Sequence, residues 1–151
     1  MAEVLRGFLS PIEVAELTAH AQTADGWAAG RQHTGYDILP LRPQLTPTSP
    51  LVARALMRIG TPFEDYWDVY FIRYMDNAHI PPHTDSAQHG KRHLRINAVL
   101  IQAPSGGELL IDGTLIALAV GDAVLFHPDT EVHEVAKVGG PRLLFSVGAW
   151  V

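Results

Sequence analysis

Cysteine is absent from the 151 residues of this chain, so disulfide bonds, thiolate catalysis and cysteine-bound metal sites are excluded. Charged residues make up only 18% of the sequence, with a net charge of −5 and no basic stripe, so we expect no nucleic-acid partner. No run reaches the roughly 18 apolar residues of a membrane span, and the first residues lack the basic start and apolar run of a signal peptide. We therefore expect a cytoplasmic protein without a membrane partner.

Apolar residues, in contrast, make up 47% of the chain, which is enough for a substantial core at this length. A chain of this size usually forms one domain, and we predict a single domain over 1–151. Its composition separates an N-terminal support of helices and loops, over 1–62, from a strand-rich core over 63–151. The pattern does not predict an oligomeric state.

Two helices are predicted in the N-terminal support. The first covers about 10–22, because Ser10 suits the N-cap and Glu13 completes a capping box. The second is short, covers 51–59, and is ended by Gly60.

The remaining pattern is typical of β-structure. Glycines and prolines predict a loop or a short hairpin between the helices, over 23–49. After residue 63, short apolar runs separated by turn residues predict seven strands, at 66–74, 94–102, 108–111, 114–119, 123–126, 131–136 and 142–150. Seven short strands after two helices predict a mainly β fold, a jelly roll with the helices packed on one side.

Two imidazoles and a carboxylate are candidate catalytic metal ligands. His83 and Asp85 are two residues apart, and side chains alternate with period two along an extended segment, so both are expected on one face. His133 adds a second imidazole. Two histidines and one carboxylate, with coordination positions left open, are typical of non-heme Fe(II) sites. Arg142 follows nine residues after His133, and its guanidinium is suited to pair with a carboxylate.

Other interpretations of these residues stay open. His83 and Asp85 also suit a loop in which the carboxylate caps a turn. His127 competes with His133 as the distal ligand, although His127 stands at a strand end before a proline. Arg142 alone also suits a solvated strand start. A zinc site is a further alternative, built from His79, His83, His89 and His93.

Several short motifs follow one another over roughly 64–151, namely Arg73-Tyr74, His83-Thr84-Asp85, Gly106-Gly107-Glu108-Leu109, Gly121-Asp122-Ala123-Val124-Leu125-Phe126, His133-Glu134-Val135, Arg142 and Trp150. In this order they resemble the iron and 2-oxoglutarate-dependent oxygenases, most closely the prolyl 4-hydroxylase-like branch. The family's fold is a double-stranded β-helix, a cupin-like jelly roll, which agrees with the predicted strands.

The resemblance implies a role for the matched residues. His83, Asp85 and His133 would bind Fe(II), and Arg142 would pair with the C5 carboxylate of 2-oxoglutarate. Dioxygen would take the coordination position that the cosubstrate leaves open.

The resemblance also points to further cosubstrate contacts. Tyr74 matches a tyrosine that often hydrogen-bonds the cosubstrate in this branch, although it also suits an ordinary core position. Many relatives carry Ser or Thr two residues after the basic residue, where this chain has Leu144. Ser146 follows on the same strand face and Asn97 lies on another predicted strand, and both are candidate cosubstrate contacts.

The loop over 27–39 is polar, glycine-rich and aromatic. In relatives the corresponding segment often forms a lid over the substrate. Arg31, His33 and Tyr36 are therefore candidate substrate contacts, together with Arg95. A plain surface loop and a structural role for Arg95 are the alternatives.

These observations predict a hydroxylase that releases succinate and carbon dioxide. Its substrate would be a small molecule, such as an amino acid or a natural-product intermediate, or a peptidyl side chain. Halogenating relatives have a small residue where this chain has Asp85, which favours hydroxylation or desaturation. Two alternatives are a cupin-like metalloenzyme that does not use 2-oxoglutarate and a non-catalytic metal-binding sensor.

Overall fold

The computed structural model describes residues 2–61 and 66–151. In chain order its elements are β1 (Glu3–Leu5), α1 (Pro11–Thr23), β2 (Ala28–Ala29), β3 (Tyr36–Pro40), α2 (Pro50–Ile59), β4 (Trp67–Tyr74), β5 (Ile80–His83), β6 (His93–Ile101), β7 (Ser105–Gly106), β8 (Leu109–Ile111), β9 (Thr114–Ile116), β10 (Ala123–Phe126), β11 (His133–Val135), β12 (Val138–Gly139) and β13 (Arg142–Trp150).

Two antiparallel sheets pack face to face in a double-stranded β-helix, as predicted. The major sheet has the strand order β1-β10-β6-β13-β4-β3-β2, and the minor sheet has the order β5-β11-β8-β9. Strands β7 and β12 form a separate pair. Both helices pack on the outer face of the major sheet, against β6 and β13.

Strand β13 lies at the centre of the major sheet and is buried along its whole length. Because strand side chains alternate, Phe145 and Val147 pack under the helices in one apolar cluster. Leu144 points to the opposite side, into a second cluster between the two sheets. One strand thus contributes side chains both to the core under the helices and to the cluster between the sheets.

The helix ends follow the predicted local chemistry. The Ser10 side chain accepts a hydrogen bond from the Glu13 amide, and the Glu13 carboxylate accepts one from the Ser10 amide, so the capping box is confirmed. Gly60 ends α2 with φ of 100°, a left-handed conformation that favours glycine. Neither described helix has the length and apolarity needed to cross a membrane.

All seven predicted strands are present, most with shifted ends, but the prediction missed short strands at the sheet edges. The predicted hairpin over 23–49 is β2 and β3, which extend the major sheet. Strand β5 was missed because Pro81 and Pro82 lack amide donors, and such residues are confined to sheet edges. The predicted start of the core at residue 63 lies outside the described residues.

Candidate active site

Three candidate metal ligands converge where β5 pairs with β11. His83 and His133 are direct partners in that antiparallel register, and their ring centroids are 4.2 Å apart. Asp85 follows the end of β5, and its Oδ1 lies 3.4 Å from His83 Nε2. One ligand atom from each of the three residues lies within 4.8 Å of the others. The structure therefore gathers the three residues that the sequence singled out.

Backbone carbonyls orient both imidazoles. His83 Nδ1 is 2.8 Å from the carbonyl oxygen of Pro81, and His133 Nδ1 is 3.0 Å from that of Glu131. A carbonyl only accepts, so Nδ1 carries a proton in each ring, and Nε2 is the nitrogen that is left to face the other candidate ligands. A hydrogen bond from the nitrogen that does not bind the metal, here Nδ1, commonly sets the tautomer of a metal-binding histidine.

The surroundings of the cluster shift the pKa of each of its three members. Burial lowers the pKa of His133, which keeps that ring neutral. A hydrogen bond to Asp85 raises the pKa of His83, and burial opposes this effect. Burial acts to raise the pKa of Asp85, but hydrogen bonds from His83 and Arg31 outweigh it and hold that pKa well below its usual range. Two imidazoles and an ionised carboxylate, without thiolate, fit Fe(II).

The alternative metal ligands lie elsewhere. Within residues 2–61 and 66–151, His127 does not belong to the metal-binding group, and its backbone amide donates to a Glu131 carboxylate oxygen at 2.6 Å. His79, His89 and His93 are likewise outside this group in the described part of the chain. The geometry therefore favours His133 over His127 and gives no support to a four-histidine zinc site.

Arg142 is a buried cation that fits an anionic ligand. Its residue is only 4% exposed, and its guanidinium carbon lies 4.7 Å from the ring centroid of Tyr74, its register partner on β4. Among the described residues, its Nε and Nη1 atoms have no hydrogen-bond partner. A buried charge left in this state is costly, so the site fits a ligand carboxylate. Burial raises the pKa of Tyr74, and the charge of Arg142 opposes this shift.

One cavity of about 280 Å³ joins these groups, and we call it the central cavity. The three candidate ligands, Arg142 and Tyr74 all line it. Its apolar wall comes from both sheets and includes Ile72, Leu109, Phe126, Val135 and Leu144. Candidate metal ligands and a candidate anion site therefore share one partly apolar space.

Ser146, Asn97 and Arg95 form a hydrogen-bonded network. The Ser146 hydroxyl donates to Asn97 Oδ1 at 2.6 Å and accepts from Arg95 Nη1 at 2.8 Å. Asn97 and Arg95 line the central cavity, whereas Ser146 is fully buried and is not among the described residues that line it. The predicted contact of Ser146 with the cosubstrate is therefore not supported by its position and stays a prediction.

Only part of the predicted substrate loop lines the central cavity. Arg31 and Tyr36 line the central cavity, and Arg31 Nη2 donates to Asp85 Oδ1 at 2.6 Å. His33 is exposed on a turn with φ of 53°, and it is not among the described residues that line the cavity. The loop thus reaches the candidate ligands through Arg31, not through His33.

Sequence reasoning missed part of this site. Asp68, Tyr70 and Trp150 line the central cavity, but the sequence assigned none of them to a site. Asp68 and Tyr70 share a strand face with Tyr74, so the period of two, counted back from Tyr74, was the signal that could have found them.

Fold and site together define an oxidoreductase of the dioxygenase class. The family model of the 2OG-Fe(II) oxygenase superfamily matches residues 69–151, which is more than half of the chain. The chain belongs to this superfamily, and the resemblance inferred from its motifs is confirmed.

Individual relatives are similar to this chain at low sequence identity. A PKHD-type hydroxylase from Paraburkholderia phymatum is 27% identical over 158 residues, covering 86% of this chain and 69% of that protein. A prolyl-4-hydroxylase from Pseudomonas putida is 20% identical with a TM-score of 0.78, over 99% of this chain and 91% of that one. The epimerase SnoN, in complex with Fe3+, alpha ketoglutarate and nogalamycin RO, is 16% identical with a TM-score of 0.75, over 98% and 78%.

Gly107 gives room to Arg142. It has φ of +75°, and a Cβ there would lie 2.9 Å from Val138 Cγ1 and 3.3 Å from Arg142 Cδ. Gly113 has the same φ but no atom within 4 Å of such a Cβ. Both Gly→Ala changes introduce backbone strain of about 1–2 kcal/mol, but only Gly107→Ala displaces side chains and costs about 1–3 kcal/mol more. Urea denaturation measures the difference, and equal losses would contradict it.

His93 should make stability depend on pH. Burial lowers its pKa to about 4, against roughly 6.5 in an unfolded chain. As pH falls from about 6.5 towards 4, the unfolded chain binds the proton first, so the free energy of unfolding decreases, by at most roughly 3 kcal/mol. His93→Phe retains an aromatic ring against Trp150 without the titration. Urea denaturation between about pH 6.5 and 4 should show that the free energy of unfolding falls more steeply for the original protein than for His93→Phe. Parallel pH dependences of the two proteins would refute the assignment to His93.

Proposed function

We propose that this protein is an Fe(II)- and 2-oxoglutarate-dependent hydroxylase that releases succinate and carbon dioxide. Membership of the superfamily supports the reaction class. The observation that supports the cosubstrate most directly is Arg142, a buried guanidinium with two unpartnered nitrogen atoms on the wall that also carries the three candidate ligands. A cytoplasmic location and dioxygen as the oxidant belong to the same proposal.

His83, Asp85 and His133 are the residues that would hold the iron. Two imidazoles and one carboxylate fit its preferences, and the backbone bonds to Nδ1 hold the rings in place with Nε2 towards the site. With iron, 2-oxoglutarate and dioxygen bound, the site supplies the oxidising chemistry that breaks a substrate C–H bond. The apolar wall of the cavity limits water around the reacting centre.

Arg142 and Tyr74 are the residues that would orient 2-oxoglutarate. A guanidinium meets a carboxylate through two parallel hydrogen bonds, which fixes the position and the direction of the bound acid. The neighbouring Tyr74 hydroxyl is protonated because burial raises its pKa, so it can donate a further hydrogen bond. Asn97 is a further candidate contact from the cavity wall.

Small substrates, or a single side chain of a peptide, suit the size of the central cavity, about 280 Å³ before any cosubstrate is bound. Arg31, Tyr36 and Arg95 are the candidate substrate contacts that line it. Arg31 also holds Asp85, so the same guanidinium would position a ligand and meet the substrate. His33 is the weaker candidate, since it is exposed on a turn.

Removal of His133 tests the metal site, with His127 as a matched control. We expect His133→Ala to weaken Fe(II) binding by at least roughly 100-fold, because loss of an oriented ligand should exceed the 10–100-fold effect of a supporting contact. His127→Ala should bind Fe(II) as the original protein does. Anaerobic equilibrium dialysis gives both affinities. An unchanged affinity in His133→Ala, or no Fe(II) binding by the folded original protein, would favour a different ligand set or a non-catalytic role.

Removal of Arg142 tests the cosubstrate. Anaerobic titration of the Fe(II)-loaded protein with 2-oxoglutarate should develop the weak visible charge-transfer band of the chelate. Arg142→Ala should raise the dissociation constant at least roughly 30-fold, in line with about 2 kcal/mol or more for a buried charged contact. Arg58→Ala, which removes an exposed arginine from α2, is the control and should not change it. No band in the iron-loaded protein would favour the cupin-like alternative.

A further inference from the structure

Asp68, Arg95 and Trp150 form a second cluster of side chains that lines the central cavity. It lies at the ends of β4 and β13 opposite to those that carry Tyr74 and Arg142. Asp68 stands six residues before Tyr74 on β4, and Trp150 stands eight residues after Arg142 on β13. Six residues of strand span about 20 Å. This cluster therefore lies far along the sheet from the candidate site for 2-oxoglutarate, although it faces the same cavity.

The centre of this cluster is an ion pair between Asp68 and Arg95. Arg95 Nη2 donates to Asp68 Oδ1 at 2.7 Å, while Arg95 Nη1 donates to Ser146 at 2.8 Å. The guanidinium carbon also lies 4.7 Å from the ring centroid of Tyr70. A Cβ at Gly148 would lie 2.4 Å from Arg95 Nη2 and 3.0 Å from Asp68 Oδ1, so the glycine leaves the room that the pair needs.

The two partners differ in their access to the cavity. The Arg95 side chain is 5% exposed, whereas the Asp68 side chain is 35% exposed. The bond from Arg95 reaches Oδ1, and among the described residues no side chain donates to Asp68 Oδ2. Asp68 is one of the residues that line the cavity. Arg95 thus holds the carboxylate in one orientation, and the carboxylate presents the accessible charge.

His93, which contacts Arg95, adds no second cation. His93 stacks on Trp150 with ring centroids 4.4 Å apart, and its Nε2 lies 3.2 Å from Arg95 Nη2. An imidazole nitrogen that accepts from a guanidinium must be unprotonated, so this ring is neutral and its Nδ1 carries the proton. Burial lowers the pKa of His93 to about 4, which agrees with a neutral ring.

We propose that Asp68 binds an ammonium group of the substrate, so that the substrate is a small molecule with a free primary amine, such as an amino acid or a linear polyamine. A fixed, accessible carboxylate suits a cation, because an ionised acceptor forms strong charge-assisted hydrogen bonds with an ammonium group. This inference rests on the proposed function, since it assigns the substrate of that same cavity.

The test measures binding without turnover. The protein is first loaded with Ni(II) and 2-oxoglutarate, and loading is confirmed by calorimetry. The twenty L-amino acids, putrescine and spermidine are then titrated in, beside the N-acetyl derivative of each compound that binds. We expect at least one free amine to bind, its acetyl derivative to bind at least 10-fold more weakly, and Asp68→Asn to bind the amine at least 10-fold more weakly while loading normally.

Asp25→Asn is the matched control, because Asp25 is an exposed residue outside the cavity lining, and it should bind the amine unchanged. If Asp68→Asn does not fold because Arg95 loses its counter-charge, the double variant Asp68→Asn, Arg95→Gln removes both charges and should show the same loss. Failure to load overturns the proposed function together with this inference. A loaded protein that binds no amine, or binds amines equally with and without Asp68, overturns this inference alone.

Discussion

The antiparallel pairing of β5 with β11 is the constraint on which the site depends. Only this register sets His83 directly opposite His133, and a shift by one residue would turn one imidazole to the other face of the sheet. The backbone bonds to both rings and the contact of Asp85 with His83 are local to each segment and orient the side chains within that register. A sheet edge that contains two prolines thus carries the candidate metal ligands.

The central strand β13 links stability to chemistry. Its odd-numbered residues from Leu143 to Ala149 fill the core under the helices, and its even-numbered face supplies Arg142 and the support for Arg95. Burial of the apolar face fixes the position of the strand. The charged side chains on its other face are therefore held in buried positions with little contact with water. Two buried arginines on one cavity therefore depend on the packing of apolar residues on the far side of the sheet.

Prediction from the sequence succeeded where local chemistry decides the outcome. The capping box at Ser10, the left-handed Gly60 and the central strand from Arg142 to Trp150 were all readable, because each depends on neighbours in the chain. Short edge strands were not, since two to four residues show too little alternation to be recognised. The inner network of Ser146 was also unreadable, because its partners come from another strand.

The sequence by itself determined the class of protein. Its succession of motifs resembles one superfamily, and it contains a candidate metal-ligand set without thiolate and an arginine nine residues after His133. Only the tertiary structure decided which histidine joins the cluster, that Arg31 reaches Asp85, and that Asp68 opens into the cavity. The reason is physical. Residue types and their periods set what a segment can form, whereas contacts between distant segments depend on how the two sheets pack against each other.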